Sequence, residues 1–208
     1  MKELEELNEM IANVGDIASK QGLNDSLLAN NHYLMMIITE IAEAVQADRN
    51  GKTANMKAFK ASYKEDDANF IFPDDLGKHR TSYMYAYEKY IEGSVEGELA
   101  DIVIRIMSFL SMSNQKFTQI EDLDEIREIK SKEYFEENTF TEAAIDLTYA
   151  ISKHYDGQYN NWSIADDLSY CVAFVLKWAK HLKFDLMNHI KLKIKYNSMR
   201  EYKHGKKY

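Results

Sequence analysis

Two pairs of carboxylates lie inside otherwise apolar stretches of this 208-residue chain. Glu40 and Glu43 form an E-x-x-E pair in "LMMIITEIAEAVQADR", and Glu98 and Asp101 form an E-x-x-D pair in "EGELADIVIRIMSFL". The i, i+3 spacing places both members of a pair on one face of a helix. A buried charge is costly unless it is paired or binds a metal. Four carboxylates converging from two packed helices therefore indicate a divalent-cation site.

The ligand type selects the cation. Carboxylate oxygens favour a hard ion, so Mg²⁺ is expected when substrate phosphates complete the coordination, and Mn²⁺ is an expected substitute. Each pair taken alone also fits a solvated helix face, because acidic residues make up 34 of the 208 positions. The apolar surroundings of both pairs favour the metal interpretation.

A third group of polar residues lies near the end of the chain, in "KLKIKYNSMREYKHGKKY". Lys193, Asn197 and Arg200 follow one another at i, i+4 and i+7, so a helix would present them on one face. Such a stripe suits the oxygens of phosphate and sugar groups. The alternative is that the cations complement the negative end of the helix dipole.

The elements that would position these residues are helices. One proline and eight glycines leave few breakers, which favours an all-α helical bundle. Apolar periodicity and capping residues, with Ser26, Ser163 and Asp185 as suitable N-caps, predict the helices. Their approximate ranges are 3–19, 26–50, 83–92, 95–113, 140–155, 164–183 and 186–201. The charged segment 121–137 is expected to be a solvated helix or a linker.

We expect a single domain over residues 1–208 with two departures from a simple bundle. Residues 52–82 are polar and are predicted to be an inserted irregular loop or lid, and residues 120–165 an extra helical insertion. The segment "FTEAAIDLTYAISKH" loosely echoes "IITEIAEAVQADR", and "IADDLSYCVAFVLKWA" echoes "GELADIVIRIMSFLS". A degenerate internal duplication is one interpretation, and chance similarity between amphipathic helices is the other.

Composition excludes several classes of function. A net charge of −8 argues against nucleic acid as the main ligand, because phosphate-backbone binding needs clustered cations. The single cysteine, Cys171, cannot form an intramolecular disulfide and is expected to be a core thiol. Apolar runs are too short to span a membrane and the first residues do not read as a signal peptide, so we expect a cytoplasmic protein.

The segments "TEIAEAVQADR", "EGELADIVIRIMSFL" and "KIKYNSMREYKHGKKY" together resemble the MazG-like, all-α nucleoside triphosphate pyrophosphohydrolases. The resemblance implies that the two acidic pairs bind Mg²⁺ and that Lys193 and Asn197 contact the nucleotide, with Arg200 assisting. Three departures are visible: Thr39 precedes the first pair, the gap between the pairs is long, and an extra helix pair precedes the last helix. The resemblance also implies either a homodimer or a pseudo-dimeric monomer, as in the two-copy dUTPase-like branch.

The reaction implied by the resemblance is cleavage of a (d)NTP to a (d)NMP and pyrophosphate, for removal of unwanted nucleotides or control of the dNTP pool. Any of the four carboxylates could act as the general base, and Glu43 is our candidate. Aromatic residues of the 52–82 segment, including Phe59 and Tyr63, could stack on a base or could pack locally. The competing hypothesis is a non-catalytic helical module that binds nucleotides or another protein.

Overall fold

The computed structural model describes residues 2–22, 29–63, 71–73, 79–118, 132–153 and 164–200. These ranges are almost entirely helical, so the predicted all-α bundle is confirmed, with one short antiparallel strand pair added. None of the helices described combines the length and the apolarity needed to cross a bilayer. The elements in chain order are α1 Lys2–Lys20, α2 Asn30–Arg49, α3 Met56–Ser62, β1 Ile71–Pro73, β2 His79–Thr81, α4 Ser82–Tyr90, α5 Val95–Met112, α6 Lys132–Glu137, α7 Phe140–Ser152, α8 Ile164–His181 and α9 Leu186–Ser198.

Helix α5 is the centre of the bundle. Twelve of its eighteen residues are buried, as expected for a helix that is apolar on nearly all sides. It packs against α1, α2, α8 and α9. Ser94 starts it as N-cap, since the hydroxyl oxygen accepts a hydrogen bond from the Gly97 backbone N–H at 3.1 Å. The E-x-x-D pair therefore lies in the first two turns of the most enclosed helix.

Helix α1 crosses α5 at very close range. A Cβ atom on Gly15 would overlap the side chain of Ser111, so only glycine permits this approach. Asn8 then ties α1 to the segment after α5: its amide accepts from the Phe117 backbone N–H at 2.8 Å and donates to the Phe117 carbonyl at 3.1 Å. These contacts hold α1 in place as a wall beside α5.

The helix bounds agree with the predicted ones within a few residues wherever the structure describes them. Asp185 is the N-cap of α9, and its carboxylate accepts from the Asn188 backbone N–H at 3.0 Å. Helix α2 begins at Asn30 and stops before Gly51, whose φ of +61° favours glycine. The proposed N-caps Ser26 and Ser163 lie outside the described residues.

The prediction of an irregular segment over residues 52–82 is wrong for most of the parts that the structure describes, and the role of the segment as a lid stays a prediction. They contain α3, the β1–β2 pair with Phe72 opposite Arg80, and the first residue of α4. Asn55 is the N-cap of α3, since its side-chain oxygen accepts a hydrogen bond from the Ala58 backbone N–H at 3.0 Å. Sequence analysis did not recognise this cap because the surrounding segment is polar. Helices α3 and α4 pack together through a shared aromatic cluster.

The same aromatic cluster contains Phe59 and Tyr63, two side chains that sequence analysis considered for stacking on a base. Phe59 is 1% exposed and packs edge-on against Tyr83, with 5.6 Å between ring centroids. Tyr63 contacts both rings, at 4.9 Å from Phe59 and 5.1 Å from Tyr83. Local packing therefore accounts for Phe59 and Tyr63.

The described helices within and directly after the predicted insertion over residues 120–165 cover one side of the bundle. Helix α7 packs against α2, and α8 packs against both α5 and α7. Phe135 of α6 is 4% exposed and contacts the Phe174 ring at 5.1 Å, so the described part of segment 121–137 is not a purely solvated helix. The pairing of α7 with α2 and of α8 with α5 is the arrangement a duplication would produce, and the duplication itself stays a prediction.

Candidate metal and substrate site

The packing of α2 on α5 brings together three of the four predicted metal ligands. Glu40, Glu43 and Glu98 each offer a carboxylate oxygen, and these oxygens lie within 4.8 Å of one another. Glu40 and Glu98 are each 6% exposed, whereas Glu43 is exposed. The i, i+3 spacing on α2 directs both of its glutamates toward the first turn of α5. The cluster is thus open to solvent on the Glu43 side.

Asp101, the fourth predicted ligand, is held by a cation. The Lys193 ammonium donates a hydrogen bond to Asp101 Oδ2 with 2.6 Å between the atoms. Lys193 comes from α9 and is 6% exposed. Asp101 therefore lies beside the three-carboxylate cluster, engaged by an ammonium group from a third helix.

A second cation engages Glu40. Arg105 Nε donates to Glu40 Oε1 at 2.8 Å, and Arg105 lies one turn after Asp101 on α5. Sequence analysis assigned Arg105 no role. Four carboxylates are thus balanced by two cations, which leaves the site with a net negative charge.

Glu98 carries the clearest sign of a missing partner. Its Oε2 atom is buried and has no hydrogen-bond partner among the described residues. Burial raises the pKa of Glu98 to about 8, and the negative charge of Asp101 adds to the rise while Lys193 opposes it. A buried carboxylate oxygen that lacks a proton donor is suited to a metal ion. The all-oxygen donor set fits Mg²⁺ or Mn²⁺.

The neighbouring groups respond to the same crowding of charge. Burial raises the pKa of Glu40, and the Asp101 carboxylate raises it further, while Arg105 acts in the opposite direction. For Lys193, burial acts to lower the pKa, but the charge and the hydrogen bond of Asp101, together with the charges of Glu92 and Glu98, raise the pKa above the usual value. A divalent cation at the cluster would relieve the repulsion among the carboxylates.

The carboxylates lie at the wall of a cavity of about 330 Å³ formed by α1, α2, α5, α9 and the turn before α5. All seven residues that sequence analysis nominated as metal ligands or phosphate-binding and sugar-binding groups line this one cavity: Glu40, Glu43, Glu98, Asp101, Lys193, Asn197 and Arg200. Acidic and basic groups from four separate parts of the chain therefore share one enclosed space, and its size suits a small ligand.

The predicted stripe on the last helix is correct in part. Lys193 and Asn197 lie in α9, but the helix ends at Ser198, so Arg200 follows it as part of the terminal turn. The Arg200 guanidinium lies over the Tyr196 ring, 5.4 Å from its centroid. Because Lys193 is buried against Asp101, simple complementation of the helix dipole does not account for it.

Sequence analysis missed the wall that α1 contributes to the cavity. Val14, Ile17 and Ala18 form an apolar surface there, and Gln21 adds a carboxamide. The Gln21 side-chain amide donates to the Asn197 backbone carbonyl, which links α1 to α9. Sequence analysis assigned Gln21 no role, and no local signal indicated one. Thr39, Glu92, Gly93 and Ser108 also line the cavity.

Comparison of the chain with protein-family models, with curated proteins and with solved structures finds no match. The functional interpretation therefore depends on the chemistry of the cavity. The cavity is lined by a carboxylate cluster, two ion-paired cations and an apolar surface of α1.

Proposed function

We propose that this chain is a Mg²⁺-dependent nucleoside triphosphate pyrophosphohydrolase that converts a (d)NTP to a (d)NMP and pyrophosphate. The observation that carries the proposal is the Glu40–Glu43–Glu98 cluster, with its buried and unpartnered Glu98 oxygen, in one cavity with Lys193. The resemblance of the three acidic and basic segments to MazG-like enzymes supports the same assignment. The enzyme would act in the cytoplasm as a house-cleaning or pool-control activity.

Glu40, Glu43 and Glu98 would hold the cation, and Asp101 would join them if Lys193 transferred its ammonium to a substrate phosphate. When bound, Mg²⁺ would neutralise phosphate charge and promote attack of water at the α-phosphorus. The buried Glu98 oxygen would then gain the partner that it lacks in the metal-free protein.

The cavity offers donors for a phosphorylated ligand on α9 and just beyond it. Lys193 supplies an ammonium, Arg200 a guanidinium suited to bidentate contact, and Asn197 a carboxamide. The Asn197 Oδ1 atom is buried and has no hydrogen-bond partner within the described ranges. These groups would bind the phosphates and sugar while the apolar side chains of α1 exclude water from the other side.

Among the four carboxylates, Glu43 is the best candidate for the general base. Glu40 is engaged by Arg105 and Asp101 by Lys193, and Glu98 is buried, with its carboxylate taken up as a metal ligand in the proposed complex. Glu43 is exposed to the open side of the cluster, where the attacking water would enter. Its carboxylate would accept the proton that this water releases.

One observation favours the alternative of a non-catalytic module. The Glu40–Arg105 and Asp101–Lys193 ion pairs neutralise half of the four-carboxylate set without any metal. A helical nucleotide-binding or protein-interaction module could keep such pairs for packing alone. It would show neither stabilisation by Mg²⁺ nor turnover.

The test is a panel of NTPs and dNTPs incubated with Mg²⁺, with monophosphate, pyrophosphate and orthophosphate resolved by chromatography. We expect pyrophosphate and a monophosphate from the native chain and a loss of both in Glu98→Gln. Glu9→Gln, an exposed glutamate on α1 away from the cavity, is the matched control and should keep full activity. No turnover on any nucleotide would contradict the proposed reaction.

A further inference from the structure

The side chain of Lys52 ends beside Gly93, a residue that lines the cavity near Glu98. Sequence analysis gave Lys52 no role. If Gly93 carried a Cβ atom, that atom would lie 2.7 Å from Lys52 Nζ and 4.0 Å from Glu98 Oε1. Gly93 and its neighbour Glu92 both line the cavity. The Lys52 ammonium and the buried Glu98 carboxylate thus lie on the same side of Gly93.

The backbone holds Lys52 between the two helices that carry the carboxylates. Its N–H donates to the Ala47 carbonyl at the end of α2 at 2.9 Å, and its carbonyl accepts from the Val95 N–H at the start of α5 at 3.0 Å. Two residues later, the Ala54 N–H donates to the Glu96 carboxylate at 2.8 Å. The backbone of Lys52 is therefore held close to the site, and its exposed side chain can adjust to a ligand.

The turn opposite Lys52 leaves room for the ammonium because its central residue is glycine. Gly93 has a φ of +70°, a conformation that side chains disfavour. A Cβ there would also force the Lys52 ammonium to move. The turn that leads into α5 thus has a backbone conformation that favours glycine, and the absence of a side chain there leaves space for the Lys52 ammonium.

The charge of Lys52 is available, unlike that of the other two cations near the carboxylates. Arg105 is paired with Glu40, and Lys193 is paired with Asp101. Within the described part of the chain, Lys52 has no ion-pair or side-chain hydrogen-bond partner. A metal-bound polyphosphate brings more negative charge into a site that already has an excess of it, so a further cation at this edge would stabilise the complex.

We propose that Lys52 is a polyphosphate-binding residue whose ammonium contacts the β- and γ-phosphates of the metal-bound substrate. This inference rests on the proposed function and deepens it. Lys193 and Arg200 line the cavity from α9 and its terminal turn. Lys52 lies in the connection after α2, and its ammonium lies beside Gly93, which lines the cavity. A compact ammonium on a flexible stem suits a chain of phosphates that must be released as pyrophosphate after cleavage.

The test measures binding of inorganic tripolyphosphate with Mg²⁺ by isothermal titration calorimetry, which needs no turnover. Lys52→Met should raise the dissociation constant about tenfold or more, because a charge-assisted contact is lost, while Lys52→Arg should bind within a few-fold of the native chain. Lys57→Met, an exposed lysine on α3, is the matched control and should change nothing. The thermal shift caused by Mg²⁺ alone should be the same in Lys52→Met and the native chain, since Lys52 is not a metal ligand.

The outcomes separate this inference from the proposed reaction. If Lys52→Met binds tripolyphosphate as tightly as the native chain, or if the native chain does not bind it, the assignment of Lys52 is wrong. If binding is lost in Lys52→Met but no nucleotide is hydrolysed, the polyphosphate contact stands and the reaction is wrong. If the native chain hydrolyses nucleotides and Lys52→Met leaves KM unchanged, the reaction stands and the role of Lys52 is wrong.

Discussion

Lys193 and Asp101 are 92 positions apart in the chain, yet the Lys193 ammonium lies 2.6 Å from the Asp101 carboxylate. The pair connects α9, which carries the candidate substrate-binding groups, to α5, which carries half of the carboxylates. Lys193 is also flanked by the rings of Tyr87 and Tyr196, at 5.6 and 5.7 Å from their centroids. The ion pair therefore fixes the distance between the two halves of the site.

Breaking this pair on one side should destabilise the metal-free protein. Asp101→Asn leaves the nearly buried Lys193 ammonium without its counter-ion, and we expect a loss of about 3 kcal/mol in the free energy of unfolding. Urea denaturation at pH 7 measures it. The double variant Asp101→Asn with Lys193→Met should recover more than about 1 kcal/mol of that loss, since no unpaired charge remains. Strictly additive losses would show that the two groups do not interact.

Metal binding should stabilise the fold through the carboxylate cluster. Mg²⁺ at about 100 times its dissociation constant should add about 2.7 kcal/mol to the free energy of unfolding, because it binds only the folded state. A thermal melt with and without Mg²⁺ checks this, and the shift should be lost in Glu98→Gln and kept in Glu9→Gln. A shift that survives in Glu98→Gln would mean that the cation binds elsewhere.

The stability of the metal-free protein should depend on the ionisation of Glu98. The folded state raises the pKa of this group from 4.5 to about 8, so the folded protein binds a proton more tightly than the unfolded chain. The resulting stabilisation is fully present below about pH 4.5 and is lost as the pH rises through about 8. Glu40, Glu43 and Asp101 oppose ionisation of Glu98, and Lys193 favours it.

Urea denaturation of the native chain and Glu98→Gln across this pH range, in the presence of a chelator, isolates the effect from other titrating groups. The difference between the two variants should change by about 2 kcal/mol or more from pH 5 to pH 8.5, with the native chain losing stability relative to the glutamine variant. A difference that stays constant would show that Glu98 ionises in the folded state as it does in the unfolded chain.

The close crossing of α1 and α5 should tolerate no side chain at Gly15. Gly15→Ala places a methyl group onto Ser111, and we expect a loss of about 1–3 kcal/mol of stability from overpacking. Asp16→Ala, at an exposed position next in the chain, is the control and should have a small effect. Ser111→Gly in the Gly15→Ala background should restore part of the stability. If Gly15→Ala were as stable as the native chain, α1 would not lie this close to α5.

The residues that could be predicted from sequence are those whose placement follows from helical periodicity. The spacing of Glu40 with Glu43, and of Glu98 with Asp101, sets the face that each pair occupies, and apolar neighbours show that this face is turned toward another helix. Asn197 and Lys193 follow the same rule on α9. All of them line the one cavity.

The residues that could not be predicted depend on contacts between distant segments. Nothing local in the sequence indicates the ion pairs that Arg105 forms with Glu40 and Lys193 with Asp101. The hydrogen bond from Gln21 to the Asn197 carbonyl is equally hidden from local patterns. Helix α3, within residues 52–82, was missed because aromatic packing between α3 and α4 outweighs the polar composition of the segment. Tertiary packing, and not local propensity, decides these features.

The most direct test of the central claim is hydrolysis in ¹⁸O-labelled water, using the best nucleotide from the substrate panel and mass spectrometry of the products. If water attacks the α-phosphorus, the label must appear in the nucleoside monophosphate and be absent from the pyrophosphate. Label in orthophosphate or in pyrophosphate would place the cleavage at another bond and contradict the proposed reaction. A native chain that turns over no nucleotide would contradict it as well.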